Sequence, residues 1–175
     1  MRAEASRKMR PMLTPALPFD PATPHRLVLD TNVVMALWHF ADPALAVLRE
    51  HLETAPACLL TREDCLGELL RVLDYPQFKI PAERQEAIFR SYEARCECLP
   101  DAAPELIATL PRCRDRDDQK FLALAWQGEA SVLVTRDKQV LALARKPPFR
   151  DTLAILTPER LQAALLAFKS SPAAP

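Results

Sequence analysis

The sequence predicts a three-layer α/β domain with a mainly parallel central sheet. Three observations predict it. Short runs of branched apolar residues recur at 26–30, 57–60, 131–135 and 153–156. Amphipathic stretches of helical period separate them, and Pro, Gly and Asp sit at the junctions. Strands that alternate with helices make β-α-β units, whose crossovers leave the strands parallel. With 175 residues, 49% of them apolar and 26% charged, the chain can close one sizeable core.

The elements follow in order. Residues 1–25 carry Pro11, Pro15, Pro18, Pro21 and Pro24 without apolar periodicity, and read as a loosely ordered leader. Arg26-Leu-Val-Leu-Asp30 is the first buried strand, and Val33–Phe40 a helix. Asp42-Pro43 is an N-cap with proline in the first turn of a second helix, which runs to about Glu53. Ala57–Leu60 is the next strand. Thr61-Arg-Glu-Asp64 resembles a capping box for a helix that ends near Asp74, before Tyr75-Pro76. Pro81 opens a long helix to about Cys98, and a proline-broken loop leads to Asp118. The helix from Asp118 is closed by Gly128; Ser131–Thr135 is a strand and 137–144 a short helix. Leu153–Leu156 is the last strand, followed by a helix from Thr157-Pro158-Glu159. One domain therefore covers 26–168, with a tail at 169–175.

Four acids stand out against this frame. Asp30 and Asp137 each follow a strand directly, and the carboxyl ends of parallel strands are where an open sheet collects its ligands. Either could equally be a helix N-cap. Thr31 and Asn32 after Asp30, however, give three capping-type residues where one suffices, and they can orient the carboxylate. Thr135 ends the strand before Asp137. Asp118 shares a helix face with Phe121, Leu122 and Ala125, which points it toward the sheet; Asp115, three residues earlier, is its rival. Glu68 falls beside Val72 at the border of the stripe Leu66, Leu69, Leu70 and Leu73, where a side chain can reach a cleft. Four carboxylates in one crevice repel one another unless a divalent cation lies among them.

Formal net charge is zero, so a polyanion would be held by local patches. Arg112, Arg114, Arg116 and Lys120 surround Asp118, and Arg136 and Lys138 surround Asp137, as suits a phosphate backbone running past an acidic centre. Cleavage of RNA through its 2′-hydroxyl needs a general base and acid, commonly histidines. His25 falls in the leader and His39 and His51 on early helices, which suggests no base–acid pair, whereas the acids suit metal-assisted hydrolysis. Cys58, Cys65, Cys96, Cys98 and Cys113 lack zinc or disulfide spacing and read as reduced thiols. No apolar run reaches membrane-spanning length and no signal peptide is evident, which makes the cytoplasm the default location.

Together, Leu-Asp30-Thr-Asn32, a mid-chain helical Glu68, Asp115-x-Asp-Asp118-x-Lys-Phe-Leu-Ala-Leu-Ala125 and Val-Thr135-x-Asp137-Lys resemble the PIN domain. They look most like the branch of toxin components from bacterial toxin–antitoxin pairs (VapC-like), over about residues 26–168. The resemblance implies a PIN-like α/β/α fold and an endoribonuclease that leaves a 5′-phosphate and a 3′-hydroxyl. It carries Asp30, Glu68, Asp118 and Asp137 over as catalytic and metal-binding acids for Mg²⁺ or Mn²⁺, with Asn32 and Thr135 in support. It also implies a cognate antitoxin and a homodimer. Gln139 departs from the branch, which often has a further acid there. The motifs leave open a DNA-directed nuclease and a catalytically weak RNA- or protein-binding module. A phosphotransferase of the aspartyl-phosphate type would need a carboxylate where Asn32 stands.

Overall fold

The computed structural model describes residues 25–54 and 58–170. The central strand β1 (Arg26–Leu29) is flanked on one side by β2 (Cys58–Arg62) and then β3 (Cys96–Leu99). On its other side lie β4 (Val132–Val134) and then β5 (Ala154–Leu156). Every neighbouring pair is parallel, with Val28 opposite Leu60 and Leu133.

Successive strand residues point to opposite faces, and both faces are apolar, as a doubly covered parallel sheet requires. Leu27, Leu29, Leu59, Val132 and Val134 enter one core. That core is covered by α1 (Thr31–Val34), α2 (Ala46–Thr54), α3 (Glu63–Leu73), α4 (Ala82–Glu93) and α8 (Pro158–Ser170). Val28, Leu60, Leu133 and Ile155 enter the second core, beneath α6 (Gln119–Gln127) and α7 (Lys138–Ala142). The short α5 (Pro104–Thr109) adds Ile107 to it. This is the expected three-layer α/β/α architecture.

The chain winds outward from β1 to β3, then crosses back to lay β4 on the far side of β1. Helices leaving β1 and β4 therefore depart to opposite faces: Val33 and Val34 join the first core, Val140 and Leu143 the second. At such a reversal the loops diverge and a crevice opens between the strand ends. Asp30 and Thr135 lie at that crevice.

Several boundaries differ from the sequence reading. Helix continues past α1 as a π-helical turn, Met35–His39. The strand expected at Ala57–Leu60 is Cys58–Arg62, Ala57 lying outside the described residues. It absorbs Thr61 and Arg62, so the expected capping box does not form: no side chain caps α3. The long helix expected to reach Cys98 stops at Glu93, and Cys96–Leu99 forms the edge strand β3. Two of its four residues are exposed, so it carries no apolar run to read. The proline-broken loop contains α5. Residues 1–24 and 171–175 lie outside the described residues; His25 is buried, with its carbonyl accepting the Cys58 amide at 2.9 Å. All five cysteines are free thiols. Among the described residues no single helix is long and apolar enough to cross a membrane.

Gly128 does close α6, but not by a left-handed turn: its φ is −86°, and Glu129 after it takes φ 50°. What requires glycine is space. A Cβ there would meet Leu99 Cδ1 at 2.9 Å and Leu60 Cδ1 closer still. Gly128→Ala is accordingly expected to cost about 1–3 kcal/mol by overpacking, measurable by urea denaturation.

Candidate active site

Asp30 is placed by the sheet itself. Its amide donates to the Val134 carbonyl at 2.9 Å, extending the β1–β4 ladder by one residue. The residue is buried, at 4% exposure. Oδ2 accepts the Thr135 hydroxyl at 2.6 Å and the Asn32 amide Nδ2 at 2.8 Å. Oδ1 accepts the Asn32 backbone N–H at 3.4 Å, so Asp30 also caps α1. Burial pushes the Asp30 carboxyl upward, the Thr135 and Asn32 hydrogen bonds oppose that, and the Glu68 charge adds to it.

Thr135 is fully buried and works in two directions: its hydroxyl also accepts the Asp137 amide at 2.9 Å. Asn32 closes the web, with Oδ1 accepting the Arg136 amide at 3.4 Å. Two strand ends separated by more than a hundred residues are thus joined through side chains. Thr31, buried, opens α1 beside them. Asp137 Oδ1 accepts the Gln139 and Val140 amides at 2.7 and 3.1 Å, so this residue too caps a helix. For Asp30 and Asp137, the capping role and a place at the crevice hold together.

Asp118 precedes α6, yet its side chain makes no capping bond. Its carboxyl is pushed up to about 7, first by burial and then by the negative charges of Asp30, Asp137, Asp115 and Glu68. Of those charges, Asp30 and Asp137, the acids at the two strand ends, act most strongly. Asp115 is exposed, and its Oδ1 accepts the Asp117 amide at 2.9 Å, which shapes the loop leading to Asp118.

Glu68 reaches inward from α3, but what it meets is Lys120. The ammonium of Lys120 forms an ion pair with Glu68 Oε2, donates to the Asp117 carbonyl at 2.7 Å and lies 5.1 Å from the Phe121 ring centre. Lys120, expected among the phosphate-gripping cations, is instead the counter-charge of an acid of the centre. Arg136 is likewise engaged, bonding Glu159 at 2.6 Å and Asp42 at 3.4 Å. Arg112, Arg114, Arg116 and Lys138 are exposed.

The donor set is oxygen-only and strongly anionic, the chemistry that suits Mg²⁺ or Mn²⁺. Asp30, buried at the strand end, has an Oδ1 that accepts one 3.4 Å bond, so these residue types fit a hard divalent cation. Among the described residues no three His, Cys, Asp or Glu side chains are arranged to share an ion.

Two features gave no signal in the sequence. The Glu68–Lys120 pair joins residues far apart in the chain. An aromatic cluster also assembles where the π-helical turn ends, from His39, Phe40, Phe78 and Tyr75, with ring centres 4.5–6.3 Å apart; Phe40 is 56% exposed.

A family model described as PIN domain matches residues 26–139. Among solved structures, a chain in the crystal structure of VapBC2 from Rickettsia felis bound to a DNA fragment from their promoter is similar. The TM-score is 0.54 at 16% identity, covering 74% of this chain and 96% of that one. At that identity the likeness speaks for the fold alone. No curated protein matches the sequence.

Proposed function

Because this chain belongs to the PIN-domain family, we propose that it is a metal-dependent endoribonuclease that acts as the toxin of a toxin–antitoxin pair. The observation that carries the reading is Asp118, whose carboxyl feels Asp30, Glu68 and Asp137 at once, at the point where the sheet order reverses. The similarity to a chain of VapBC2 from Rickettsia felis supports the toxin–antitoxin part.

Asp30, Asp118 and Glu68 would hold Mg²⁺ or Mn²⁺, with Asp137 binding directly or through water. When bound, the ion makes water a nucleophile near neutral pH and stabilises the charge that develops on the phosphate. The chain's own residues do the rest. Thr135 and Asn32 fix the Asp30 carboxylate in one orientation. Exposed Arg112, Arg114, Arg116 and Lys138 draw the RNA backbone across the acids and offset its charge. The protein acts in the cytoplasm as a homodimer, restrained by its antitoxin.

The test is cleavage of end-labelled single-stranded RNA by wild type and by Asp30→Ala. Wild type should cut with Mn²⁺, stop in EDTA and leave 5′-phosphate ends, and the variant should bind RNA without cutting it. Binding without cleavage by both proteins under every divalent ion would instead favour a binding module. Single-stranded DNA in the same assay decides between sugar types.

A further inference from the structure

The ammonium of Lys120 is paired with Glu68, one of the acids of the proposed metal centre. It sits on the first turn of α6, two residues beyond Asp118, and reaches across to Glu68 on α3. Both side chains are largely buried, at 13% and 19% exposure, and the Asp117 carbonyl holds the ammonium from a second side. Of Asp30, Glu68, Asp115, Asp118 and Asp137, Glu68 is the acid that an ion pair neutralises among the described residues.

We propose that Lys120 is a built-in, displaceable cation of the acidic centre: it neutralises Glu68 in the metal-free protein and sets metal affinity by having to give Glu68 up. This rests on the metal-dependent reading of the centre. A Glu68 oxygen that binds a divalent ion cannot keep an ammonium at hydrogen-bonding distance without placing two like charges side by side in a partly buried site. The two occupants therefore exchange. Lys120 stabilises the empty protein and weakens its hold on metal through the same contact.

The test uses the full chain, stripped with EDTA and exchanged into metal-free buffer, with Mn²⁺ as the probe. Calorimetric titration of wild type, Lys120→Met and Lys120→Arg reads the effect without any substrate. Removing the local positive charge should tighten Mn²⁺ binding about tenfold in Lys120→Met, and Lys120→Arg should stay near wild type. Thermal melting gives a second readout: Lys120→Met should melt below wild type without metal and recover most of the difference in saturating Mn²⁺. Should Lys120→Met be too unstable to titrate, Lys120→Gln keeps most of the stem and should show the same tightening. Equal or weaker binding by these neutral variants overturns the role given to Lys120 and leaves the metal-dependent reading standing. If folded wild type and both variants all fail to bind Mn²⁺, both ideas fall.

Discussion

Asp118→Asn is expected to abolish cleavage and yet make the metal-free protein more stable above neutral pH. In the folded chain the carboxyl is held up to about 7, against 3.8 for the same group unperturbed. A group that binds its proton more tightly when folded favours the fold most below the unperturbed value, and that advantage is lost as pH rises through about 7. At pH 8 the folded protein therefore carries the full burden of a half-buried anion among other anions. Taken at face value, the difference corresponds to about 4 kcal/mol. Solvent reaches this side chain, so screening reduces the expected gain on replacement to about 1–2 kcal/mol. Urea melts of wild type and variant in EDTA should separate at pH 8 and converge near pH 4. Equal midpoints at both pH values would mean that Asp118 does not share a field with Asp30 and Asp137. Saturating Mn²⁺ should reverse the order, because wild type then gains binding energy that the amide cannot supply.

Thr135→Val should damage stability and activity together. The hydroxyl is fully buried and joins Asp30 Oδ2 at 2.6 Å to the Asp137 amide at 2.9 Å. A methyl group of similar size leaves a buried carboxylate short of one donor and a backbone N–H without its acceptor, at about 2–4 kcal/mol together. Without the hydroxyl, Asp30 is held through Oδ2 by Asn32 alone, and cleavage should fall about 10–100-fold. Thr135→Ser keeps the hydroxyl and should recover most of both. Failure of the serine variant to recover activity would assign the loss to packing and not to the bridge.

The strand ends and their acids were legible because parallel strands buried on both faces write continuous apolar runs. Leu27–Leu29 and Val132–Val134 are read at once, and chain direction then places Asp30 and Thr135 at one edge. The inward face of α6 that Asp118 precedes was legible too, and its Phe121, Leu122 and Ala125 lie in the core. The strand β3 was not, because half of its residues face solvent and α4 ends only shortly before it. Thr61 misled for a related reason: a capping-type residue at a strand–helix junction fits either element, and pairing with Cys98 of β3 decided for strand. The partner of Glu68 was hidden because helical spacing gives the face of a side chain but not what stands opposite it. Lys120 belongs to an element 52 residues away.

The sheet has an outer margin at β3, where among the described residues no further strand continues the ladder. Such a margin offers unused amides and carbonyls to any extended chain that drifts past. Glu97 sits in the middle of β3, drawn back over the sheet by Arg26 at 3.2 Å. A flat apolar newcomer would have to strip water from that ion pair before it could zip on, so the molecule guards against edge-to-edge growth with a single anchored charge.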